Sequence, residues 1–347
     1  MSTSFSPPVQ AALDMVDEAS YTSEPDGTRI PQTSAPAIIA TMLDLLDVDP
    51  GQRVLEIGTG SGYSTALLSR LVGDTGRVTS VEVIPDLTAR AAELLRAHGS
   101  RNVELICGDG VKGAPGAVAR FDRVIAWATV ERIPDEWIRQ ITPEAVIVTP
   151  VNVTGLAKTF AIVRVGRDSE NLEPQRLISG GFVEAHDQAV HQWLIPPYGA
   201  DALTHDDQDR PWWLSATWLR TEGTAATASG EALLDRLIAD ARTVPGPLAE
   251  TENPEGFYGY LLATRPAGLT TAALGDPAWR IGYTSPTGAA LTSPSDAQHT
   301  IHAGDQEALH ALTAWAENWR VLGRPGFDRL RPDLQRGEDG SLVRLTL

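Results

Sequence analysis

Residues 54–63 read VLEIGTGSGY, an apolar run followed by three glycines at alternate positions. The glycines stand between the apolar residues 53–57 and a segment, 63–72, whose apolar residues recur at helical spacing. Because glycine has no Cβ, a chain can turn sharply there from a strand into a helix and leave its backbone open to a ligand. The stretch therefore predicts a strand, a glycine-rich loop and a helix, the first unit of a nucleotide-binding α/β fold.

The same alternation continues on both sides of this loop. Apolar runs and helical periodicity predict strands at 78–83, 103–107, 124–128 and 145–150 and helices at 37–46, 87–98 and 135–141. Strands that alternate with helices are typical of a parallel sheet, and runs of Val, Ile and Leu indicate strands buried on both faces. Two further strands, within 159–165 and 176–183, predict an antiparallel pair at one edge. The expected fold is α/β, with a Rossmann-like, doubly wound sheet.

Changes in composition divide the chain into four predicted parts. These are an N-terminal segment at 1–33, an α/β domain at 34–190, a tryptophan-rich linker at 191–220 and a C-terminal accessory or substrate domain at 221–347. The last part is predicted to be an α+β extension, with helices at 230–241 and 305–319. Most of the tryptophans lie from Trp193 onward. They are suited either to core and interdomain packing or to a peptide-binding wall.

Composition excludes several classes of protein. The 347 residues carry 28 Lys and Arg against 45 Asp and Glu, a formal charge of −17, so binding to nucleic acid or to an anionic membrane surface is not expected. The single cysteine, Cys107, excludes an internal disulfide framework and a cysteine-rich zinc site, and we expect it in a buried strand. No pattern of residues indicates a metal site. Without an apolar spanning run or a signal-peptide pattern, a cytoplasmic protein is expected.

Acidic residues at the ends of the predicted strands indicate which nucleotide the loop binds. Glu82 ends the second strand, where a carboxylate can accept hydrogen bonds from both hydroxyls of a ribose. Asp109 and Gly110 close the third strand and could meet an adenine edge. The dinucleotide pattern G-x-G-x-x-G would need glycine where Tyr63 stands, and Glu56 would repel a pyrophosphate but suit an amino-bearing cation. S-adenosylmethionine fits these groups, whereas a purely structural glycine loop would leave the carboxylates unexplained.

The residues around this motif resemble the protein-L-isoaspartate O-methyltransferase family. The resemblance rests on residues 54–87, on NVELICGDG at 102–110, on the Ser-Ala-Pro of 34–36 and on Ile133-Pro134. It implies a class I methyltransferase fold with an antiparallel edge, S-adenosylmethionine as the methyl donor and S-adenosylhomocysteine as the product. It also implies a peptide or protein substrate that bears aspartate or isoaspartate.

The family's motifs can be transferred to individual positions of this chain. The implied donor-binding residues are Glu56, Gly58, Thr59, Gly60, Ser61, Gly62, Tyr63, Glu82, Val83, Asp109 and Gly110. The implied acceptor-side residues are Thr33, Ala128, Thr129 and Val130. Ser34 matches the serine near the methyl group and the acceptor carboxylate, and is the candidate catalytic residue, although it could also cap the helix that follows. An acceptor carboxylate is already ionised at neutral pH and needs no general base.

The chain differs from the usual sequence pattern of the family at several positions, and these differences indicate a narrower group within the family. Val130-Glu131 stands where the family usually has Ala and Pro near the acceptor, and Pro143-Glu144-Ala145 replaces its Pro-Gly-Gly. The family's N-terminal substrate-binding segment is not recognisable. A long C-terminal region follows the sheet, as in the extended actinobacterial variants of the FxLD type, which accompany ribosomally made, modified peptides. This layout favours an enzyme of RiPP biosynthesis over one of general repair.

The leading hypothesis is a carboxyl O-methyltransferase that esterifies an aspartyl or isoaspartyl side chain in a peptide. Attack on the ester by the following backbone nitrogen would then give a succinimide. The alternatives are a general isoaspartate repair enzyme, a tRNA adenine methyltransferase, which the charge disfavours, and a non-catalytic peptide-binding module. His186 and His191 flank a predicted strand end and could approach the site.

Overall fold

The computed structural model describes residues 5–24, 26–30, 33–118, 120–168, 171–187, 196–220, 224–276 and 278–347. The helices in these ranges are α1 (Pro7–Met15), α2 (Glu18–Thr22), α3 (Pro36–Leu46), α4 (Tyr63–Val72), α5 (Pro85–Ala97), α6 (Asp135–Gln140), α7 (Thr224–Asp240), α8 (Pro254–Thr264) and α9 (Glu307–Val321).

The strands of the N-terminal half are β1 (Arg53–Ile57), β2 (Arg77–Glu82), β3 (Val103–Cys107), β4 (Phe121–Ala126), β5 (Ile133–Pro134), β6 (Ile141–Asn152), β7 (Phe160–Asp168) and β8 (Asn171–Ser179). Those of the C-terminal half are β9 (Ala202–His205), β10 (Pro211–Ala216), β11 (Arg242–Pro245), β12 (Leu269–Leu274), β13 (Trp279–Ser285), β14 (Gly288–Thr292), β15 (His299–Gly304), β16 (Arg331–Arg336) and β17 (Gly340–Thr346).

The first sheet confirms the predicted α/β architecture. Its order is β3-β2-β1-β4-β6-β7-β8, with parallel pairing from β3 to β6 and antiparallel pairing of β7 and β8 at the edge. The connection from β1 runs outward to β2 on one side, and the chain later returns to place β4 on the other side of β1. The carboxyl ends of β1 and β4 therefore flank the point where the strand order reverses, the usual ligand position in such sheets.

The two faces of this sheet are covered by different parts of the chain. Val54 and its neighbours on one face pack against α1, α3, α4 and α5. Leu55, which points to the opposite face because side chains alternate along a strand, belongs to a core shared with α6, α8, α9 and β17. The second face is thus covered by α6 together with elements of the C-terminal half.

The N-terminal residues contribute two helices that the composition did not predict. Val9 and Ala12 of α1 and Tyr21 of α2 are buried, and α1 packs on α3 and α4. Residues 31 and 32 lie outside the described ranges. Pro7 and Pro8 occupy the first turn of α1, where proline is well tolerated.

The second sheet is antiparallel and has the order β11-β15-β14-β13-β12-β10-β9. Helix α7 covers one face, against Ala289 and Leu291. Helices α8 and α9 lie on the other face, against Ala290. In the part of the predicted tryptophan-rich linker (191–220) that the structure describes, β9 and β10 are strands of this sheet; Trp213 is buried there and pairs with Ala273 of β12.

A third, small sheet ties the end of the chain to the first domain. Its order is β16-β17-β5, with Gly340 opposite Pro134 and Ser341 opposite Ile133. Arg336 strengthens this contact through an ion pair of 2.9 Å with Asp135. The C-terminal hairpin therefore pairs with the Ile-Pro dipeptide of the first domain. Within the described residues, no helix has the length and apolar character needed to cross a membrane.

Candidate functional site

The glycine-rich loop between β1 and α4 has the backbone conformation that glycine favours. Gly58, Gly60 and Gly62 have φ values of +90°, +52° and +86°. Gly62 is the N-terminal cap residue of α4, and a Cβ at that position would lie 3.1 Å from the Cβ of Ala91. A Cβ on Gly60 would meet no atom within 4 Å. The loop is thus held tightly at its helical end and faces open space at its centre.

Glu82 supports the loop from the end of β2. One carboxylate oxygen accepts a hydrogen bond of 2.8 Å from the backbone N–H of Gly60, and the other accepts one of 3.0 Å from that of Ile84. The side chain is nearly buried. Since a carboxylate oxygen has two lone pairs, each can still accept a further hydrogen bond from a ligand hydroxyl.

Glu56 is engaged by the protein itself. Its carboxylate is completely buried and accepts hydrogen bonds from the hydroxyls of Ser64 (2.6 Å) and Thr65 (2.5 Å) and from the indole N–H of Trp127 (2.8 Å). Burial raises the pKa of Glu56, while these donors oppose the rise. Glu56 does not line the adjoining cavity. In this arrangement the carboxylate fixes the start of α4 and the indole against β1.

The turn after β3 supplies Gly110 as a wall of the site. A Cβ there would come within 2.5 Å of the Cγ2 of Ile57, so the position requires glycine. The Asp109 side chain accepts a hydrogen bond of 2.9 Å from the backbone N–H of Val111 and lies 3.2 Å from the Lys112 ammonium group. It caps the short 3-10 helix at 110–112 and does not line the cavity.

A cavity opens at the carboxyl ends of β1, β2 and β4. Its walls include most of the predicted donor-binding residues, namely Gly58, Thr59, Gly60, Ser61, Glu82, Val83 and Gly110, together with Thr33, Ser34 and Ala128. Four of the predicted residues lie beside the cavity without lining it, namely Glu56, Gly62, Tyr63 and Asp109. The Tyr63 side chain is buried in the core, where its ring contacts that of Tyr21 in α2. Cys107 lies outside the site and is exposed, contrary to the expectation, because β3 is the edge strand of the first sheet.

Ser34 lies on the cavity wall and does not cap α3. The N-terminal cap residue of α3 is Ala35, and no side chain makes a capping hydrogen bond there. The capping interpretation of Ser34 is therefore wrong. The position that the resemblance assigns to it, beside the acceptor, is compatible with its place on the wall.

Several cavity residues were not predicted as site residues. Ile39, Ile84, Leu87, Val111 and Trp127 provide apolar surface, and the segment Val183–His186 closes one side. The sequence predicts only that His186 could approach the site; the structure places it on the wall, whereas His191 and Trp193 lie outside the described residues. Ile84 and Leu87 follow the predicted Glu82 and Val83 closely, whereas Ile39, Trp127 and the segment 183–186 are far apart in sequence and are brought together by the fold.

The charges and surfaces of the cavity suit S-adenosylmethionine. Among the described residues, Glu82 and Glu184 line it and no lysine or arginine does, so a cation is favoured over a phosphate. Apolar side chains offer contacts for an adenine ring. The glycine at position 60 leaves the space that a Cβ would fill. The residues present therefore fit a cationic nucleoside.

A groove adjoins the cavity on the side of the C-terminal hairpin. The two share Val111 and Ala185, and the groove is lined in addition by Thr129, Val130, Glu131, Arg132, Pro134, Tyr198 and Asp339. Two of the predicted acceptor-side residues, Thr129 and Val130, thus lie in the groove, and the other two, Thr33 and Ala128, lie in the cavity. Asp339 belongs to the turn between β16 and β17.

A ligand cavity at the switch point of a mostly parallel sheet, with an acidic residue ending β2 and an antiparallel edge, is typical of a class I S-adenosylmethionine-dependent methyltransferase. The model of the protein-L-isoaspartate(D-aspartate) O-methyltransferase family matches residues 11–189, about half of the chain. The chain therefore belongs to this family.

Two relatives illustrate the extent of the sequence match. A protein-L-isoaspartate O-methyltransferase of Anaeromyxobacter dehalogenans is 42% identical over 150 residues, which are 42% of this chain and 70% of the relative. One of Ignicoccus hospitalis is 42% identical over 118 residues, or 34% of this chain. The match spans only 56% of the Ignicoccus protein.

Solved structures give a weaker likeness. A structure named protein-L-isoaspartate O-methyltransferase aligns over 98% of this chain and 95% of its own, with a TM-score of 0.49 and 20% identity. The enzyme of that name from Plasmodium falciparum, in complex with S-adenosyl-L-homocysteine, aligns over 52% of this chain and 91% of its own, with a TM-score of 0.44 and 17% identity.

Proposed function

We propose that this protein is an S-adenosylmethionine-dependent carboxyl O-methyltransferase that esterifies an aspartyl or isoaspartyl side chain in a peptide. The observation that carries the proposal is the junction of two spaces, a cavity whose described walls hold no lysine or arginine and a groove that meets it at Val111 and Ala185. A donor in the first and a peptide in the second would meet at their shared wall. Family membership supports the same reaction class.

The residues of the cavity have distinct roles in this proposal. Each Glu82 carboxylate oxygen, which already accepts one backbone hydrogen bond, would accept a second one from a ribose hydroxyl. Gly58 and Gly60 would let the backbone approach the bound molecule. Asp109 would act mainly by shaping the turn that carries Gly110 and Val111. S-adenosylmethionine supplies an electrophilic methyl group on a sulfonium, so the task left to the protein is alignment.

The acceptor side needs an oriented carboxylate rather than a base. An aspartyl carboxylate is ionised at neutral pH, and the Ser34 hydroxyl would donate a hydrogen bond that orients it from the cavity wall. In the groove, the Thr129 side chain is held in place because its hydroxyl donates a hydrogen bond of 2.9 Å to the carbonyl of Phe182.

Within this reaction class, we favour a dedicated peptide-maturation enzyme over general repair. The support is that the C-terminal hairpin contributes Asp339 to the groove and is paired to β5 next to it, so the extension helps to form the acceptor side. After methylation, the next backbone nitrogen would attack the ester carbonyl, lose its proton and expel methanol. The product is a succinimide, lighter than the starting peptide by one water.

Mass spectrometry of peptides incubated with the protein and S-adenosylmethionine tests the proposal. One set of peptides carries isoaspartate, and the other consists of unmodified precursor peptides encoded beside the gene. A methyl ester on an ordinary aspartate, or the later loss of water, would support maturation. Methylation confined to isoaspartate would show a repair enzyme, and binding of the donor with no product from either set would favour a non-catalytic module.

The variant Ser34→Ala separates orientation from binding in this assay. We expect a lower kcat with donor affinity unchanged, because the serine hydroxyl acts on the acceptor. Thr41→Ala is a matched control: its hydroxyl lies in α3 and donates to the carbonyl of Ala37, away from the cavity. Unchanged turnover of Ser34→Ala would contradict the role assigned to this residue.

A further inference from the structure

Arg132 has an unusual position in the groove. Among the described residues that line the groove or the cavity, it is the one Lys or Arg side chain. It is half-buried. Within the described part of the chain its guanidinium makes no hydrogen bond and no ion pair, although Glu131 and Asp339 line the same groove. A partly buried guanidinium without an anion is a group that can bind one.

The C-terminal hairpin holds the Arg132 stem in place. Arg132 directly precedes β5, whose Ile133 and Pro134 pair with Ser341 and Gly340 of β17. A Cβ at Gly340 would lie 3.2 Å from the Cγ of Arg132 and 2.3 Å from the carbonyl oxygen of Ile133. Because residue 340 is glycine, the aliphatic part of the Arg132 side chain has room to run past the hairpin and reach the groove.

The acidic residues around the acceptor site make the positive charge of Arg132 important for binding an anionic peptide. A peptide carboxylate that enters the junction meets Glu82 and Glu184 in the cavity and Glu131 and Asp339 in the groove, in a chain with a formal charge of −17. Lys158 is 3.5 Å from Glu184 and is occupied by that pair. Arg132 is thus the available counter-charge on these walls, and its planar group suits two-point binding of a carboxylate.

We propose that Arg132 is a specificity residue that binds a second carboxylate of the peptide, beside the one that is methylated. The inference rests on the proposed function. The methylated carboxylate itself is a poor partner for Arg132, because a bidentate guanidinium would withdraw charge from the oxygen that must attack. The preferred substrates then carry, next to the acceptor residue, either an acidic side chain or the free C-terminal carboxylate of the peptide.

Steady-state kinetics on matched peptides test this. Each peptide contains one acceptor aspartate or isoaspartate, with Glu or Gln one or two residues away on either side, and with a free or amidated C-terminus. We expect a kcat/KM about tenfold or more higher for the better acidic peptide than for its neutral partner, mainly through KM. The Glu–Gln pairs and the free–amidated pairs distinguish an acidic side chain from a terminal carboxylate.

Three variants complete the test. Arg132→Ala should lower kcat/KM on the acidic peptide to about the value on its neutral partner, and Arg132→Lys should retain part of the preference, since the charge remains but the two-point geometry is lost. Arg139→Ala is the control, because Arg139 is an exposed arginine of α6 outside the groove. Thermal unfolding would show that each variant is folded.

The outcomes separate this inference from the proposed function. Methylation with equal kcat/KM for acidic and neutral peptides, or a preference that survives in Arg132→Ala, would overturn the role of Arg132 while leaving the methyltransferase proposal intact. Failure of the unaltered protein to methylate any of the peptides, although it binds S-adenosylmethionine, would overturn both. If Arg132→Ala is unfolded, folded Arg132→Lys decides the question: a reduced preference supports the role of Arg132, and an undiminished one overturns it.

Discussion

The Nδ1 of His186 lies 2.8 Å from the hydroxyl oxygen of Tyr198. His186 lines the cavity and Tyr198 lines the groove, so one hydrogen bond joins the walls of the two spaces. Burial lowers the pKa of His186 and raises that of Tyr198. At neutral pH the pair is therefore uncharged, and it presents no positive charge to a cationic ligand.

The affinity for S-adenosylmethionine should fall as His186 becomes protonated. Since its pKa lies below the ordinary histidine value of 6.5, affinity should be constant from pH 8 to the ordinary pKa and decrease below it by about fivefold, from the repulsion of two cations. Titration calorimetry would measure this, with S-adenosylhomocysteine as a ligand of neutral sulfur whose affinity should change less.

His186→Asn provides the matched control for that experiment. Glu184 faces the same cavity, and burial raises its pKa, so its protonation could also weaken binding of a cation at acid pH. If His186 is responsible, the variant binds at pH 7 as the unaltered protein does and loses the acid decrease. An acid decrease of the same size in the variant would point to Glu184 instead.

The centre and the end of the glycine loop should respond differently to alanine. At Gly60 a Cβ meets nothing within 4 Å, whereas at Gly62 it would press on Ala91. Both positions carry the cost of a positive φ, about 1 kcal/mol. We expect Gly60→Ala to lower donor affinity at least tenfold with a small loss of stability, and Gly62→Ala to lower the free energy of unfolding further.

Gly99→Ala is the control for backbone strain without a ligand. Gly99 has a φ of +78°, also with open space around a Cβ, and lies after α5 away from the cavity. Its alanine variant should match Gly60→Ala in thermal unfolding but bind S-adenosylmethionine normally. Normal binding by Gly60→Ala would show that the open space at the loop is not where the ligand lies.

Glu82→Gln should weaken donor binding about 10- to 100-fold, the usual cost of losing hydrogen bonds to a charged acceptor. The amide would also place an N–H group against the backbone N–H of Gly60 or Ile84, so some stability is lost as well. Asp86→Asn, an exposed carboxylate in the first turn of α5, should change neither property.

An analogue of S-adenosylhomocysteine without ribose hydroxyls separates the two effects of Glu82. The unaltered protein should bind it more weakly than S-adenosylhomocysteine, and Glu82→Gln should bind the two about equally, because the hydroxyls then have no carboxylate to contact. Equal sensitivity of both proteins to the missing hydroxyls would mean that Glu82 acts only on the loop.

Local sequence patterns predicted those parts of the site that lie close together in the chain. The glycine loop and Glu82 follow directly from two strands and their ends. The sequence does not show whether a carboxylate faces a ligand or accepts hydrogen bonds from the protein itself. The Glu56 carboxylate accepts hydrogen bonds from Ser64, Thr65 and Trp127, and its environment therefore depends on where the fold places these side chains. Trp127 belongs to another strand end, and its indole direction is set only by the folded sheet.

Long-range pairing was the other part beyond prediction. β17 meets β5 although some 200 residues separate them, with Ser341 opposite Ile133, and no local pattern signals this contact. The polar turn that joins β9 and β10 makes this stretch of sequence resemble a loop. In this turn Asp206 accepts a hydrogen bond from the backbone N–H of Arg210. Such strands are defined by their neighbours in the sheet rather than by their own residues.

The C-terminal half should lose stability in acid through Glu252. Its carboxylate accepts hydrogen bonds from Arg320, at 2.5 and 2.8 Å, and from Arg324 at 3.0 Å, and these hydrogen bonds, first that from Arg320, lower its pKa from 4.5 to about 2. A lowered pKa in the folded state stabilises the protein above the unfolded value of 4.5, and this contribution disappears as the pH falls from there towards 2.

Glu252→Gln should therefore lower the free energy of unfolding by about 2 kcal/mol at pH 7 and by much less near pH 2, where the native carboxylate is also becoming neutral. Glu250→Gln is the control, since this exposed residue of the same loop makes no ion pair within the described residues. Denaturant unfolding followed by circular dichroism at both pH values would measure the difference. A loss of the same size at pH 2 and pH 7 would mean that Glu252 stabilises the loop through packing, because charge could then play no part in it.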